Sequence, residues 1–585
     1  MFKRLRSRAK PAAYVICEAE TVEAVQEALQ VRACGGRTRL AERAQTRIMM
    51  CAVVFVFIFA ALGVRLAYIS FGQIKPAAYL ASINLTDAPR PEIVDRQGAL
   101  LATDLPMIAL EVAGREVWDA HEVASKLSGV LPVIDAVMLE EKLREGRYVE
   151  VRRDLTPAER RAVFDLGLPG VRFASRVKRF YPQADLGAHI VGHGEPGKGG
   201  VMGLEKTANS WRAEAPLRAT IDIRVQQILE DELAASMQTF DANAAWGAVM
   251  DVATGEVIAL ASLPDFDPNA PGAAPADSRR NRATYDLYEL GSAFKSFTAA
   301  AALEDGIATE TSTYDARGRL RVADRNITDF HGENRILTLS EVIQHSSNIG
   351  IARVAGDLGP ARQKAYLRQL GLFEALPIEL AESRAPQLPT QWGPVESATI
   401  AYGHGISVTP LHLLTAFSAV VNGGVYHKPT FVVDHDIHGQ RIFSEDTSAV
   451  MRRILRRVIT DGTAEYAQAP GYFPIGKTAT ADKPSVGGYD KNARIASFVG
   501  AVPGFAPRYA ILISFDDPQP TEDTYGYATA GWNAAPTFAR VVSRAAPLLG
   551  LSPVNEAMAL EAFVSGELSS YQEANLGSFA TERIQ

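Results

Sequence analysis

Cysteine is scarce in this chain: 585 residues hold three, Cys17, Cys34 and Cys51, and none follows position 51. A thiol nucleophile, a zinc-cysteine site and a disulfide framework are therefore excluded from everything beyond it. The ten histidines form no His-x-x-x-His or similar ligand set, so no metal is expected. A basic excess is missing as well. The formal net charge is −7 and the pI about 5.9, which leaves no electrostatic footprint for nucleic acid. Internal repeats and low-complexity segments are absent, and long apolar runs are absent with one exception, residues 48–71.

That exception is long enough to cross a bilayer with some tilt, and only Arg65 interrupts it. Near the end of the run, Arg65 can snorkel to the interface. A cleaved signal peptide and a buried core helix are the competing readings. A 47-residue leader is long for the first, and a helix apolar all round is rare in the second, so an uncleaved anchor is expected. Residues 1–47 carry ten Lys/Arg against five Glu, while the remainder carries 50 basic and 62 acidic residues. The positive-inside rule then places residues 1–47 in the cytoplasm and the chain beyond about residue 72 outside.

The length suits two or three domains. Residues 1–47 read as a tail, 48–71 as the span and 72–235 as a mixed domain with no catalytic signature. Residues 236–548 form a second, sharply patterned domain, and 549–585 a C-terminal tail. In the mixed domain, Ile93-Val94, Ile108–Val112 and Val149–Val151 read as strands and Asp119–Leu127 as a helix. In the second domain, Trp246–Val252 and Glu256–Ser262 read as strands joined by the turn Ala253-Thr-Gly255. Thr338-Leu-Ser-Glu341 is a capping box for a helix ending near His345. Residues 472–481, 493–502 and 509–515 are strand-like again, and this order predicts an α+β fold with helices packed on a sheet.

Three short motifs carry chemistry. Ser292-Ala-Phe-Lys295 puts a hydroxyl and an amine one helical turn apart, in hydrogen-bond range for a nucleophile and its base. Ser346-Ser-Asn348, expected in a helix-helix connection, and Lys477-Thr-Ala479 with Thr480 add a hydroxyl, an amide and a second ammonium. Singly, each has a plainer reading: a solvated helix start, a capping turn and an exposed edge strand. In this order they describe an acyl-transfer site similar to the Ser-x-x-Lys, Ser-x-Asn and Lys-Thr-Gly sets of β-lactamases and penicillin-binding proteins.

Each residue has a chemical part in that site. At a helix start Ser292 feels the positive end of the helix dipole. Lys295, buried near Lys477, has a lowered pKa, because desolvation and a like charge both disfavour its ammonium form. Ser346 can relay a proton to a leaving amine, and Asn348 can orient Lys295 and a substrate amide. Lys477, Thr478 and Thr480 can bind a carboxylate, with Ala479 between them. The backbone N–H groups of Ser292 and Thr480 can form an oxyanion hole.

Longer stretches resemble the class B penicillin-binding proteins, single-span cell-wall transpeptidases without a glycosyltransferase domain. Arg90–Gly98 (RPEIVDRQG) resembles a signature of their membrane-proximal pedestal, or dimerisation-type, domain. Arg179-Phe-Tyr-Pro182, Gly187–Gly192 and Gly203-Leu-Glu205 resemble the rest of that domain. Gly247–Val257, Tyr288–Lys295 and Val408-Thr-Pro-Leu411 are similar to transpeptidase-domain signatures. Ser346-Ser-Asn348 and Gly487-Gly-Tyr489 look most like the division-specific septal member. The resemblance implies an antiparallel-sheet transpeptidase domain on an elongated pedestal, anchored in a bacterial inner membrane with its catalytic domain in the periplasm. It also implies a D,D-transpeptidase without cofactor, in which Ser292 attacks the penultimate D-Ala of a stem peptide and an amine of a neighbouring stem resolves the acyl-enzyme. β-Lactams would inhibit it, and a membrane glycosyltransferase and other divisome proteins would be its partners.

Four positions depart from the family pattern. Pro91 and Gln97 bear on local turn geometry, and Ala293 replaces a common Thr on what is expected to be the exposed side of the nucleophile turn. Ala479 stands where the family has glycine, and its methyl is expected to press on a substrate backbone at a cost of roughly 1–3 kcal/mol. Retained acylation is expected all the same. Alternatives are a catalytically impaired divisome scaffold, an elongation-type transpeptidase, and a membrane-anchored β-lactamase or β-lactam sensor. No Glu-x-x-x-Asn deacylation motif follows Ser346 to favour the last.

Overall fold

The computed structural model describes residues 47–65, 90–195, 197–211, 215–330, 332–433, 438–485 and 488–565. The expected tail before residue 47, residues 66–89, Gly487 and the last twenty residues lie outside the described residues. The chain divides into two units, residues 1–83 and 84–585.

In the first unit Arg47–Arg65 is one continuous helix with mean hydropathy 2.5 and no buried residue in the unit itself. By length and composition it can cross a membrane.

The second unit begins with a lobe built on the fourteen-residue strand Leu100–Ala113. This strand pairs antiparallel with Tyr148–Leu155 and with Val171–Phe180. Helices Ala120–Val130 and Ala136–Arg144 start where Asp119 and Asp135 accept backbone N–H bonds, and Pro157–Asp165 starts at a Thr156/Glu159 capping box. Their apolar sides, among them Val123, Leu127, Leu139, Leu143 and Val163, close over Leu110, Val112 and Leu155 of the sheet. The expected strands and the Asp119 helix are present.

Where this lobe meets the rest of the unit, Glu205 is fully buried and takes Arg90 Nη1 at 2.5 Å and Arg179 Nε at 2.6 Å. Arg179 also reaches Asp104 at 3.1 Å and the carbonyl of Pro91 at 2.8 Å. Three signature segments far apart in sequence thus converge on one carboxylate.

The larger part is an antiparallel five-stranded sheet in the order Ile475–Ser485, Gly488–Val502, Tyr509–Asp516, Ala244–Asp251, Val257–Leu263. The first hairpin of the domain therefore pairs with its last strands, Trp246 opposite Ser514. One face carries helices Ile223–Thr239 and Ala534–Ala545. Against the other lies Pro410–Val421, buried along its whole length, and Lys295–Glu304 packs on that helix. Trp246, Phe294, Phe297, Phe417, Phe498, Phe515 and Phe538 are almost completely buried between the layers, each worth roughly 1.5–3 kcal/mol of burial, which makes the sheet a stiff platform. The α+β expectation for this domain holds. The sequence-based boundary at residue 235 falls inside Ile223–Thr239, a helix that packs on the sheet.

Candidate active site

Ser292 lies in a 3-10 turn, Gly291–Phe294, that runs into the α-helix Lys295–Glu304. The sequence reading put it at the α-helix start. The difference matters, because i and i+3 eclipse in a 3-10 turn and set Lys295 directly beside the serine. Lys295 Nζ is 3.0 Å from Ser292 Oγ and fully buried. Ala293, expected on the exposed side of this turn, is completely buried in the domain core, where a smaller residue than Thr fits without an unpaired hydroxyl.

Gly291 has φ +50°, and a Cβ there would stand 3.2 Å from the carbonyl of Thr480. The missing side chain lets the serine turn lie directly on the strand Ile475–Ser485. Gly403 completes the packing from the other direction, since a Cβ there would be 2.2 Å from Gly291 O.

The capping box at Thr338/Glu341 is formed, and the helix Leu339–Gln344 ends at His345. Ser346 then takes the left-handed conformation, φ +59°, uncommon for a residue with a side chain. In that conformation both its oxygens face Lys295, with Nζ at 2.5 Å from Ser346 O and 2.9 Å from Ser346 Oγ. An amine with these three neighbours can accept the Ser292 proton while donating to both Ser346 oxygens, provided it is neutral. Burial first, and then the Lys477 charge, hold Lys295 well below the usual lysine range, while Asp329 opposes them.

Lys477 comes from the strand at the sheet edge. It is also fully buried, with Nζ 3.1 Å from both Ser346 Oγ and Thr478 O and 3.3 Å from Thr478 Oγ1. Burial lowers its pKa to about 7.

Alternation along this strand separates its side chains. Lys477, Ala479 and Ala481 face the serine turn, and Thr478 and Thr480 face the opposite way. Thr478 Oγ1 shares a 2.7 Å hydrogen bond with Thr463 Oγ1, and Thr480 Oγ1 accepts from Ala530 N at 3.1 Å. Ala479 is 2% exposed and belongs to the hydrophobic core. The expected pressure of its methyl on a substrate backbone is corrected here: the methyl is enclosed by protein. The strand is the sheet edge, so alternate amides point away from its one neighbour, as an oxyanion-hole donor at Thr480 requires.

Asn348 does not join Lys295. Its amide donates to Thr328 O at 3.1 Å.

Asp329 was missed in the sequence. Its carboxylate accepts Ser347 Oγ at 2.7 Å and the backbone N–H of Asn348 and Ile349 at 2.5 and 3.0 Å. It therefore closes the N-terminus of the helix Asn348–Leu358 and holds the second motif in place. No local signal announces this, because Asp329 stands 19 residues before Asn348, in an irregular segment.

A second group flanks the site. Tyr489 donates to Glu289 at 2.8 Å, Gly405 N donates to the same carboxylate at 3.0 Å, and His404 meets both Tyr402 and Tyr489 at its edges. Burial pushes His404 below the usual imidazole range.

Comparison with known proteins follows the same outline. The family described as "Penicillin binding protein transpeptidase domain" matches residues 246–543, and "Penicillin-binding Protein dimerisation domain" matches residues 85–207. A protein of Caulobacter vibrioides named "Probable peptidoglycan D,D-transpeptidase FtsI" is 38% identical over 546 residues, covering 89% of this chain and 92% of its own. The Escherichia coli K12 "Peptidoglycan D,D-transpeptidase FtsI" is 27% identical over 502 residues, covering 79% of this chain and 84% of its own. Among solved structures, the apo transpeptidase domain of Burkholderia pseudomallei penicillin-binding protein 3 matches with a TM-score of 0.52 and 32% identity. It covers 57% of this chain and 97% of that one.

Proposed function

This chain belongs to the penicillin-binding protein transpeptidase family, and from that premise we propose that it is a septal peptidoglycan D,D-transpeptidase working through an acyl-enzyme on Ser292. The observation that carries the reading is Lys295, buried and within 3.0 Å of both Ser292 Oγ and Ser346 Oγ.

Neutral Lys295 takes the proton of Ser292 Oγ as that oxygen attacks the carbonyl of the penultimate D-Ala. The oxyanion is held by the N–H groups of Ser292 and Thr480. Ser346, hydrogen-bonded to both lysines, passes a proton to the departing D-Ala amine, and the C–N bond breaks. An amine of a neighbouring stem peptide then attacks the ester, loses a proton through the same groups and releases Ser292. Lys477, whose Nζ also reaches Thr478 Oγ1 at 3.3 Å, receives the substrate carboxylate. A β-lactam enters the first half of this sequence and stays on Ser292.

Supporting the membrane reading are the apolar helix Arg47–Arg65 and the basic flank before it, which puts residues 1–47 in the cytoplasm and the catalytic domain in the periplasm. The pedestal then runs from about residue 72 to the residue before Ile223, and the catalytic domain from there to about 548. A membrane glycosyltransferase of the division machinery is the partner this reading implies. The test is covalent: the detergent-solubilised protein is reacted with fluorescent penicillin, digested, and the modified peptide mapped. An adduct on Ser292 is the expected result. Label elsewhere, or none, ends the reading.

A further inference from the structure

Four aromatic rings gather beside the edge strand, outside the constellation above. Trp532 is their common neighbour. Tyr527 stacks on it at 5.5 Å with the planes 9° apart, Tyr466 leans on it at 4.9 Å, and Tyr525 meets it edge-on at 5.8 Å. The group is open to water: Tyr525 is 78% exposed, and Tyr466 and Tyr527 are 50% and 49% exposed. Single exposed aromatics need no explanation, but a contiguous group with its outer faces in solvent marks a place where something binds.

The loops that carry these rings are fastened to the strand that carries the third motif. Ala530, two residues before Trp532, donates to Thr480 Oγ1, and Thr463, three residues before Tyr466, bonds Thr478 Oγ1. Chain length alone keeps Trp532 and Tyr466 within roughly 11 Å of those anchoring residues. The two threonines therefore set the position of the aromatic group relative to the substrate groove.

We propose that Tyr466, Tyr525, Tyr527 and Trp532 form a platform for the amino-sugar strand of the peptidoglycan substrate. This rests on the transpeptidase reading, because that substrate presents its stem peptides on a sugar polymer that must pass close to the groove. Pyranose rings expose C–H faces that suit the negative face of an aromatic ring. Glu522 and Asp523, exposed in the same loop as Tyr525, supply acceptors for sugar hydroxyl and amide hydrogens. Their charge disfavours an anionic occupant such as a phosphate polymer or an acidic lipid surface.

The experiment uses neutral β-1,4-linked N-acetylglucosamine oligomers, which present the amino-sugar faces without the free lactyl carboxylates of stripped glycan, titrated by calorimetry into the full chain in detergent. Tyr525→Ser and the double variant Tyr466→Ser/Tyr525→Ser are compared with wild type, and Trp532→Phe serves as a conservative second change. The wild type is expected to bind saturably, Tyr525→Ser at least threefold more weakly and the double variant at least tenfold more weakly, each with an unchanged Tm. Absence of saturable binding by the wild type, or equal affinity across the set, overturns the platform. Penicillin labelling on the same samples keeps the two readings apart. An unlabelled wild type that binds glycan refutes the serine chemistry and not the platform, whereas a labelled wild type that does not bind refutes the platform alone.

Discussion

Lys295 Nζ and Lys477 Nζ lie against one oxygen, Ser346 Oγ, at 2.9 and 3.1 Å. Two buried ammonium groups sharing one neutral acceptor cannot both keep their charge near neutral pH, since desolvation and mutual repulsion act in the same direction. The pair therefore holds one amine ready to accept a proton. The charged or titratable groups facing Lys295 are Lys477 from the edge strand, Asp329 from the segment before the second motif and His404 from the loop beside Gly403.

Lys477→Met removes the like charge, so Lys295 keeps its proton to higher pH. Acylation needs the unprotonated amine, and the acid limb of the rate profile then moves to higher pH, with a loss of at least about tenfold at pH 7. Stopped-flow penicillin acylation between pH 5 and 10 measures it. A lower plateau with an unmoved limb would show that Lys477 serves in carboxylate binding only.

The same substitution is expected to stabilise the fold. Folded Lys477 titrates near 7, and unfolded lysine at its ordinary 10.5. Between those values the unfolded chain binds more protons, so stability rises with pH through that window, and at and below pH 7 nearly the whole penalty of burial remains. Lys477→Met should therefore raise stability at pH 7 on the order of a few kcal/mol, with the gain shrinking toward pH 10. Thermal melts of both proteins at pH 7 and pH 10 give the comparison.

Asp329 separates charge from structure. Asp329→Asn keeps an oxygen for the helix N–H groups but removes the charge that supports the protonated form of Lys295, so the acid limb of acylation moves to lower pH. Asp329→Ala leaves Ser347, Asn348 and Ile349 without their acceptor and costs about 1–2 kcal/mol of stability, with acylation down at least tenfold. If the Asn variant keeps the wild-type pH profile, the charge of Asp329 has no part in the reaction.

Glu205 holds two guanidinium groups out of water. Glu205→Ala leaves Arg90 without its carboxylate and Arg179 with Asp104 alone, and about 3–5 kcal/mol of destabilisation is expected, seen as an earlier first unfolding transition. The exposed pair Lys126–Glu122 provides the contrast: Lys126→Ala should change stability by less than about 0.5 kcal/mol.

What could be read from the sequence follows physical range. Strands with alternating or continuous apolar character, the capping box at Thr338 and the serine–lysine spacing are local patterns, and they were visible. The pairing of Trp246 with Ser514, the meeting of Arg90, Arg179 and Glu205, and the closure of the second motif by Asp329 depend on chain segments brought together only in the fold. No period or spacing encodes them. The exposure of Ala293 was misjudged for a related reason: a 3-10 turn rotates its residues differently from an α-helix, and the turn type was not apparent from Ser292-Ala-Phe-Lys295.

Ala479 gives the sharpest test, because family pattern and burial point in opposite directions. If its methyl pressed on substrate, Ala479→Gly would accelerate acylation. The methyl is enclosed in the core, on the face of the strand that carries Lys477 and lies against the serine turn, while Thr478 and Thr480 point the other way. Removing it deletes buried apolar surface and loosens a strand interior, so about 1–2 kcal/mol of stability should be lost. Penicillin acylation should stay within about twofold of wild type. A tenfold faster reaction in the glycine variant would place the methyl in the groove after all. Labelling of the variant with none of the wild type would make the natural protein a scaffold.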